Sequence, residues 1–344
     1  MAENSDADTG DVAGLFEAFA RQRVLVIGDL MLDWFIWGSV SRISPEAPVP
    51  VVEVQRENRY PGGAANVARN LTSLVDQVDL VGIYGEDANG LLLAESLEAN
   101  GIGMDGCLAL DGFSTITKTR VVARQQQVVR IDREKRHPIS GDSLARLLGR
   151  IGEQIERVDG IILEDYGKGL MSQDLVDEVV RLASPRGIPV TVDPKPGNPI
   201  DWKGLHTVKP NRSEAFSCAG REDLHRDEPI APLEDEPLLA TGHQLRDQWQ
   251  CENVLLTLGE KGMLLFSDNT VDWIEPRARE VFDVSGAGDT AIALYTLGIC
   301  SGMAAVEAAH LANLGSSLVV EKLGTAPVGR DELFEAAMRE GATR

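Results

Sequence analysis

The run Asp283-Val284-Ser285-Gly286-Ala287-Gly288-Asp289-Thr290 sets two glycines and an alanine directly ahead of a carboxylate. Before it, Arg279 to Val284 reads as a short strand; after it, Ala291, Ile292, Ala293, Leu294 and Leu297 read as a buried helix. The backbone N–H groups of Gly286, Ala287 and Gly288 would then lie at a helix N-terminus, where unpaired donors and the positive end of the dipole favour an anion. Asp289 is a poor candidate for that anion. It fits better as a general base, taking a proton from an attacking hydroxyl while the turn steadies a transferring phosphoryl group. The plain alternative is an ordinary glycine-rich helix start with an acid in its first turn, and the run by itself leaves both open.

Two further groups suit a polyhydroxylated ligand. In Gly28-Asp29-Leu30-Met31-Leu32-Asp33, Asp33 follows the first strand, and its carboxylate can accept from two adjacent hydroxyls; a capping or turn role is the alternative. Gly62 and Gly63 let backbone approach a ligand closely, and Asn66 offers a donor and an acceptor.

These residues need a scaffold, and the chain alternates strand-like and helix-like segments. Val24 to Ile27, Asp79 to Val81, Gly160 to Leu163, Pro189 to Val192 and Val254 to Thr257 read as strands, each running into a turn. Gly14 to Arg21, Ala64 to Val75, Gly90 to Asn100, Ser143 to Arg157, Gln173 to Leu182 and Leu238 to Trp249 read as helices. The expected fold is α/β: a mostly parallel sheet covered by helices on both faces, with ligands beyond the carboxyl ends of the strands. Val49 to Val54 and Thr115 to Val122 alternate as half-exposed strands do and break that rhythm. Arg221 to Pro237, with seven acidic residues, two basic ones and three prolines, reads as a solvated loop without chemistry.

Composition narrows the partners. A formal net charge of −21 over 344 residues argues against nucleic acid and anionic membrane, since both need clustered Lys and Arg. Phosphorylated ligands would have to be held locally, by helix N-termini, a few placed cations and a divalent metal. Cys107, Cys218, Cys251 and Cys300 are scattered, so neither a zinc site nor a disulfide framework is suggested, and a reducing cytoplasm is the default. No apolar run reaches the ~18 residues of a membrane span. The P-loop pattern and the protein-kinase motif set are both missing from the sequence.

Asp283 to Thr290 resembles the C-terminal signature of ribokinase-like sugar kinases of the phosphofructokinase B type, and Pro61-Gly62-Gly63-Ala64-Ala65-Asn66-Val67-Ala68 resembles their N-terminal motif, more than 200 residues earlier. The resemblance implies ATP and Mg²⁺ as cofactors. Asn211-Arg212-Ser213-Glu214 is similar to the family's N-x-x-E motif, which implies that Asn211 and Glu214 serve magnesium and the phosphates through water; a helix capping box has the same spacing. Thr257-Leu258-Gly259-Glu260-Lys261-Gly262 resembles the nucleotide loop, implying Thr257, Gly259 and Gly262 as nucleotide contacts, with a hairpin turn as the alternative; Asn313 and Lys322 to Thr325 lie where the family surrounds adenine. The family's lid corresponds to segments of about 34–60 and 110–131, which implies a homodimer through the lid strands. Residues 1–12 are expected as a flexible tail and 13–340 as one kinase domain.

A narrower resemblance runs from about Arg23 to Leu333. Ser41 to Val51, Thr115-Ile116-Thr117-Lys118, Gln126 to Asp132, Asp165-Tyr166-Gly167-Lys168-Gly169 and Asp193-Pro194-Lys195 are similar to bacterial D-glycero-D-manno-heptose 7-phosphate kinases. It implies phosphorylation of the anomeric hydroxyl, giving heptose 1,7-bisphosphate for ADP-heptose and the lipopolysaccharide inner core. The chain ends soon after the kinase signature, so attachment of the nucleotide is not expected of it. A phosphorylated substrate needs a cationic cradle away from the transfer site, for which Arg124, Lys168 and Lys195 are candidates and Lys118 and Arg120 alternates; Lys195 could instead reach the ATP phosphates. Another ribokinase-like hexose-phosphate or ketose kinase, and a non-catalytic sugar or nucleotide sensor, remain as alternatives.

Overall fold

The computed structural model describes residues 5–124, 126–226, 228–268, 270–277, 284–322 and 326–341. In chain order the strands are β1 (Arg23–Gly28), β2 (Leu30–Ile43), β3 (Pro50–Gly63), β4 (Gln77–Val81), β5 (Ile83–Gly85), β6 (Ile102–Gly103), β7 (Leu108–Leu110), β8 (Ile116–Ala123), β9 (Gln126–Arg133), β10 (Gly160–Glu164), β11 (Val190–Asp193), β12 (Thr207–Val208), β13 (Asn253–Thr257), β14 (Met263–Phe266) and β15 (Val271–Ile274). The helices are α1 (Ser5–Arg21), α2 (Ala64–Leu71), α3 (Ala88–Ala99), α4 (Gly141–Ile155), α5 (Gln173–Ala183), α6 (Arg212–Cys218), α7 (Glu236–Trp249), α8 (Ala287–Cys300), α9 (Ala305–Val320) and α10 (Arg330–Gly341).

Among the described residues nine strands form the main sheet, in the order β15-β14-β13-β12-β11-β10-β1-β4-β6. Neighbours from β13 to β6 run parallel, and β14 and β15 fold back antiparallel at one edge. Burial on both faces is written into β1. Val24 and Val26 pack with α1, α2, α8, α9 and α10, whereas Leu25 and Ile27 pack with α4 to α7. Each of the five expected strands is present within two residues of its expected ends. Among the described residues no helix is long and apolar enough to cross a membrane.

A second sheet of order β3-β2-β8-β9 stands over one end of the first, antiparallel at its two outer pairs and parallel between β2 and β8. It occupies the two segments expected as a lid and extends beyond them, from Leu30 to Gly63 and on to Arg133. Asp33 therefore sits within β2, opposite Tyr60 of β3 and Lys118 of β8, rather than on a turn at the edge of the main sheet. Strand periodicity alone misses this, because Leu30, Met31 and Leu32 are all buried.

Two expectations need correction. The segment 1–12, expected as a tail, is helical from Ser5 onward, since α1 extends back from an anchored end: Phe16 and Phe19 are buried, and Phe16 meets Phe334 of α10 edge-on at 5.2 Å. The acidic segment 221–237 is not simply solvated. Arg212 binds Asp223 through two bonds of 2.6 and 2.8 Å and pairs with the buried Asp235 at 2.8 Å, which ties the loop to α6. The strand expected over Arg279 to Val284 lies outside the described residues except for Val284, as do Asp283 and the Leu323 to Thr325 part of the expected adenine stretch.

Candidate active site

Asp289 lies in the first turn of α8, which begins at the N-cap Gly286 with φ 85°, a left-handed conformation open to glycine. Both of its carboxylate oxygens are held: Asn66 Nδ2 donates to Oδ2 at 2.6 Å and the Tyr166 hydroxyl to Oδ1 at 2.9 Å. Burial pushes the Asp289 pKa up, and the bonds from Asn66 and Tyr166 pull it back. Of the N–H groups expected to face an anion, that of Ala287 donates to Val284 O at 3.3 Å within the turn. Helix α2 buttresses the turn. Thr290 Oγ1 bonds Asn70 Oδ1 at 3.0 Å, and Asn70 Nδ2 in turn donates to Asn66 O at 2.9 Å.

A buried cation stands beside this helix start. Lys209 Nζ is 2.8 Å from Asp193 Oδ2, and the two atoms lie 3.7 and 3.9 Å from where a Cβ on Gly288 would project. Burial alone would lower the Lys209 pKa, but Asp193 and Glu164 outweigh it and raise it. Glu164, at the end of β10, is buried, with no hydrogen-bond partner for Oε1 among the described residues; burial, then Asp193 and Asp289, push its pKa well above the usual carboxylate range. One ammonium thus faces four carboxylates, those of Glu164, Asp193, Glu214 and Asp289.

On one side of Asp289 lies the second sheet. Asp33 is buried and ion-paired with Arg120, and a Cβ on Gly62 would collide with its carboxylate. Gly63 has φ 62° and packs against Asp29 O, so both glycines are required where β3 turns into α2. On the other side is a cavity of about 450 Å³, lined by Thr257, Gly259, Gly262, Ala287, Gly288 and Asn313 among others. The expected nucleotide residues thus share one cavity with the glycine turn. The Thr257–Gly262 stretch forms the β13–β14 hairpin turn, as its plain alternative expected. Asn313 Nδ2 donates to Glu275 O at 2.6 Å, while Lys322 is turned to Glu332 at 2.6 Å.

Asn211 and Glu214 form a complete capping box on α6, with reciprocal bonds of 2.9 Å. Glu214 Oε1 remains 3.6 Å from Lys195, and burial followed by Asp193 raises the Glu214 pKa. Of the three cations expected to cradle a phosphate, Arg124 is exposed at the β8–β9 turn with φ 47°, Lys168 pairs with Glu134 at 2.8 Å, and Lys195 lies 3.6 Å from Glu214 with its stem beside Gly167, the neighbour of Lys168.

Residues 21–331 match the pfkB family of carbohydrate kinases. The chain belongs to this family. As a pfkB carbohydrate kinase it is 40% identical over 330 residues to the bifunctional protein HldE of Syntrophotalea carbinolica, an alignment covering 96% of this chain and 66% of that protein. It therefore spans just under two thirds of the length of the curated relatives it matches. Its fold is that of Escherichia coli phosphofructokinase-2, solved with potassium, at a TM-score of 0.73 and 17% identity over 94% of this chain and 99% of that one. Arabidopsis thaliana ribokinase, solved with ribose and ATP, superposes at a TM-score of 0.67 and 21% identity, covering 92% and 99%. The fold is ribokinase-like, with the smaller sheet as its second layer of strands.

Sequence reasoning about this pfkB kinase missed Lys209, Glu164 and the role of Tyr166. Lys209 directly precedes the Pro210-Asn211 stretch, and Glu164 ends a buried strand; both signals were present, but the pairing across β10, β11 and α8 appears only in three dimensions.

Proposed function

We propose that this chain transfers the γ-phosphoryl group of ATP to the anomeric hydroxyl of D-glycero-D-manno-heptose 7-phosphate, giving a 1,7-bisphosphate for ADP-heptose and lipopolysaccharide inner-core synthesis. The observation that carries the reading is the position of Asp289, between the Asp33–Gly62–Asn66 side and the Thr257–Gly259–Asn313 cavity. The heptose motifs, together with 40% identity to a protein named HldE, support the substrate.

In this reading Asp289 takes the hydroxyl proton, which needs the carboxylate ionised; the hydrogen bonds from Asn66 and Tyr166 favour that form. Gly286, Ala287 and Gly288 bring the start of α8 to the transferring group, and Lys209 supplies a fixed positive charge beside it. Asp33, Gly62, Gly63 and Asn66 hold sugar hydroxyls. Thr257, Gly259, Gly262 and Asn313 hold the nucleotide. Lys168 serves the substrate's phosphate, with Arg124 and Lys195 as the further candidates.

The fit of Mg²⁺ rests on hard oxygen donors. Glu214 Oε1 lies 3.6 Å from Lys195, outside the cap, whereas Asn211 Oδ1 is taken by the cap. Glu214, and Asn211 through water, would hold the metal, which when bound neutralises phosphate charge. A homodimer through the lid strands also belongs to this reading, supported by the exposed Val129 and Ile131 on β9. The test is ³¹P NMR of the product formed from ATP and the heptose 7-phosphate. A second phosphomonoester signal coupled to the anomeric proton is expected; phosphate at any other carbon would refute the assigned position.

A further inference from the structure

Apart from Asp289 and its partners, two ammonium groups converge on one carboxylate where the second sheet meets the loop 165–170. Glu134, the residue after β9, places Oε2 2.8 Å from Lys168 Nζ and 3.5 Å from Lys118 Nζ. Lys118 lies on β8 in register with Asp33 of β2, and Lys168 is two residues from Tyr166, whose hydroxyl holds Asp289. The cluster therefore borders the sugar side from lid and body at once. The lysine side chains are only 16% and 18% exposed, and that of Glu134 is 30% exposed. Asp132 is 3.7 Å from Lys118 but is held by Arg130 through bonds of 2.7 and 2.8 Å, so Glu134 is the main counter-charge of the pair.

We propose that Lys118 and Lys168 form the subsite for a phosphomonoester, the remote phosphate of the substrate, and that Glu134 is a built-in occupant which the phosphate displaces. This rests on the sugar-phosphate kinase reading above. Two half-buried ammonium groups without a counter-ion would be costly, so the free protein needs a resident anion there. A carboxylate brings one charge and two oxygens, whereas a phosphomonoester brings up to two charges and three, a better match for six N–H donors. Lys168 and Lys118 hold the Glu134 pKa below its usual value, so it stays charged and competes. Residues 133–136 are exposed, which gives the displaced side chain a path into water. An unphosphorylated sugar has nothing with which to dislodge it. The subsite thus selects for phosphorylated substrates.

The test is calorimetric titration of the full chain with inorganic phosphate, comparing wild type, Glu134→Gln, Lys168→Met and the double variant. Glu134→Gln should bind phosphate about fivefold more tightly, the scale of one partly exposed ion pair. The double variant should lose that gain, which separates this subsite from phosphate bound at the start of α8. Glu134→Ser serves as a second removal of the carboxylate if the glutamine variant folds poorly. Affinity in either single Glu134 variant equal to or weaker than wild type would overturn the proposal, as would a gain that survives Lys168→Met. Failure of the heptose reading would show separately, as wild-type protein that binds phosphate through these lysines yet does not turn over the heptose phosphate.

Discussion

At the residue scale the proposed chemistry depends on one carboxylate, that of Asp289, whose two oxygens are both held by side chains. Asp289→Asn should keep the fold and nucleotide affinity while lowering kcat by roughly 10²–10⁴, the usual cost of removing a general base; steady-state kinetics alongside nucleotide titration check this. Tyr166→Phe separates orientation from basicity. The hydroxyl stabilises the ionised form of Asp289, so losing it raises a pKa that burial already raises. Since only the ionised form accepts the proton, the acid limb of kcat/KM should move to higher pH, with kcat down about tenfold for one lost bond to a charged group. An unchanged pH profile in the variant would assign Tyr166 to packing. Asp289 was legible because glycines ahead of an acid have a local meaning. Tyr166 and Lys209 were not, because their partners lie 123 and 16 residues away in the chain.

At the scale of elements, the loop 165–170 carries both Tyr166 and Lys168 and hangs on one buried carboxylate. Asp29, at the end of β1, accepts from the N–H groups of Tyr166 at 3.1 Å, Lys168 at 3.0 Å and Leu170 at 3.2 Å. Burial outweighs these bonds and raises its pKa from 3.8 to about 6. Between those values the folded protein keeps a proton that the unfolded chain has released, so this group's contribution to stability falls as pH rises from about 4 to 6. From pH 7 down to pH 5 the wild type should therefore gain on the order of 1 kcal/mol relative to Asp29→Asn. Denaturant unfolding of both proteins at the two pH values measures it, and a constant difference would contradict the assignment. The central strands were legible from their apolar runs. β2 and β9 were harder, one starting in a fully buried run and the other exposed along its whole length. Arg212 holding the acidic loop had no local signature at all.

At the scale of the whole molecule, a net charge of −21 must coexist with the phosphate binding that the proposed function requires, and Lys209 is buried beside the start of α8 where that binding would occur. The lid leaves Val129 and Ile131, two apart on β9, 45% and 56% exposed. A second copy covering that face would remove them from water. Ile131→Glu should shift a wild-type dimer toward monomer in sedimentation velocity, and a monomeric wild type would refute the dimer. The most direct test of the account is a coupled ATP-consumption assay comparing kcat/KM across D-glycero-D-manno-heptose 7-phosphate, the unphosphorylated heptose, sedoheptulose 7-phosphate and hexose phosphates. The heptose 7-phosphate should lead: the free sugar brings no phosphate to Lys168, and the ketose presents a misaligned hydroxyl to Asp289. A hexose phosphate turned over with higher kcat/KM, or no sugar drawing phosphate from ATP, would contradict it.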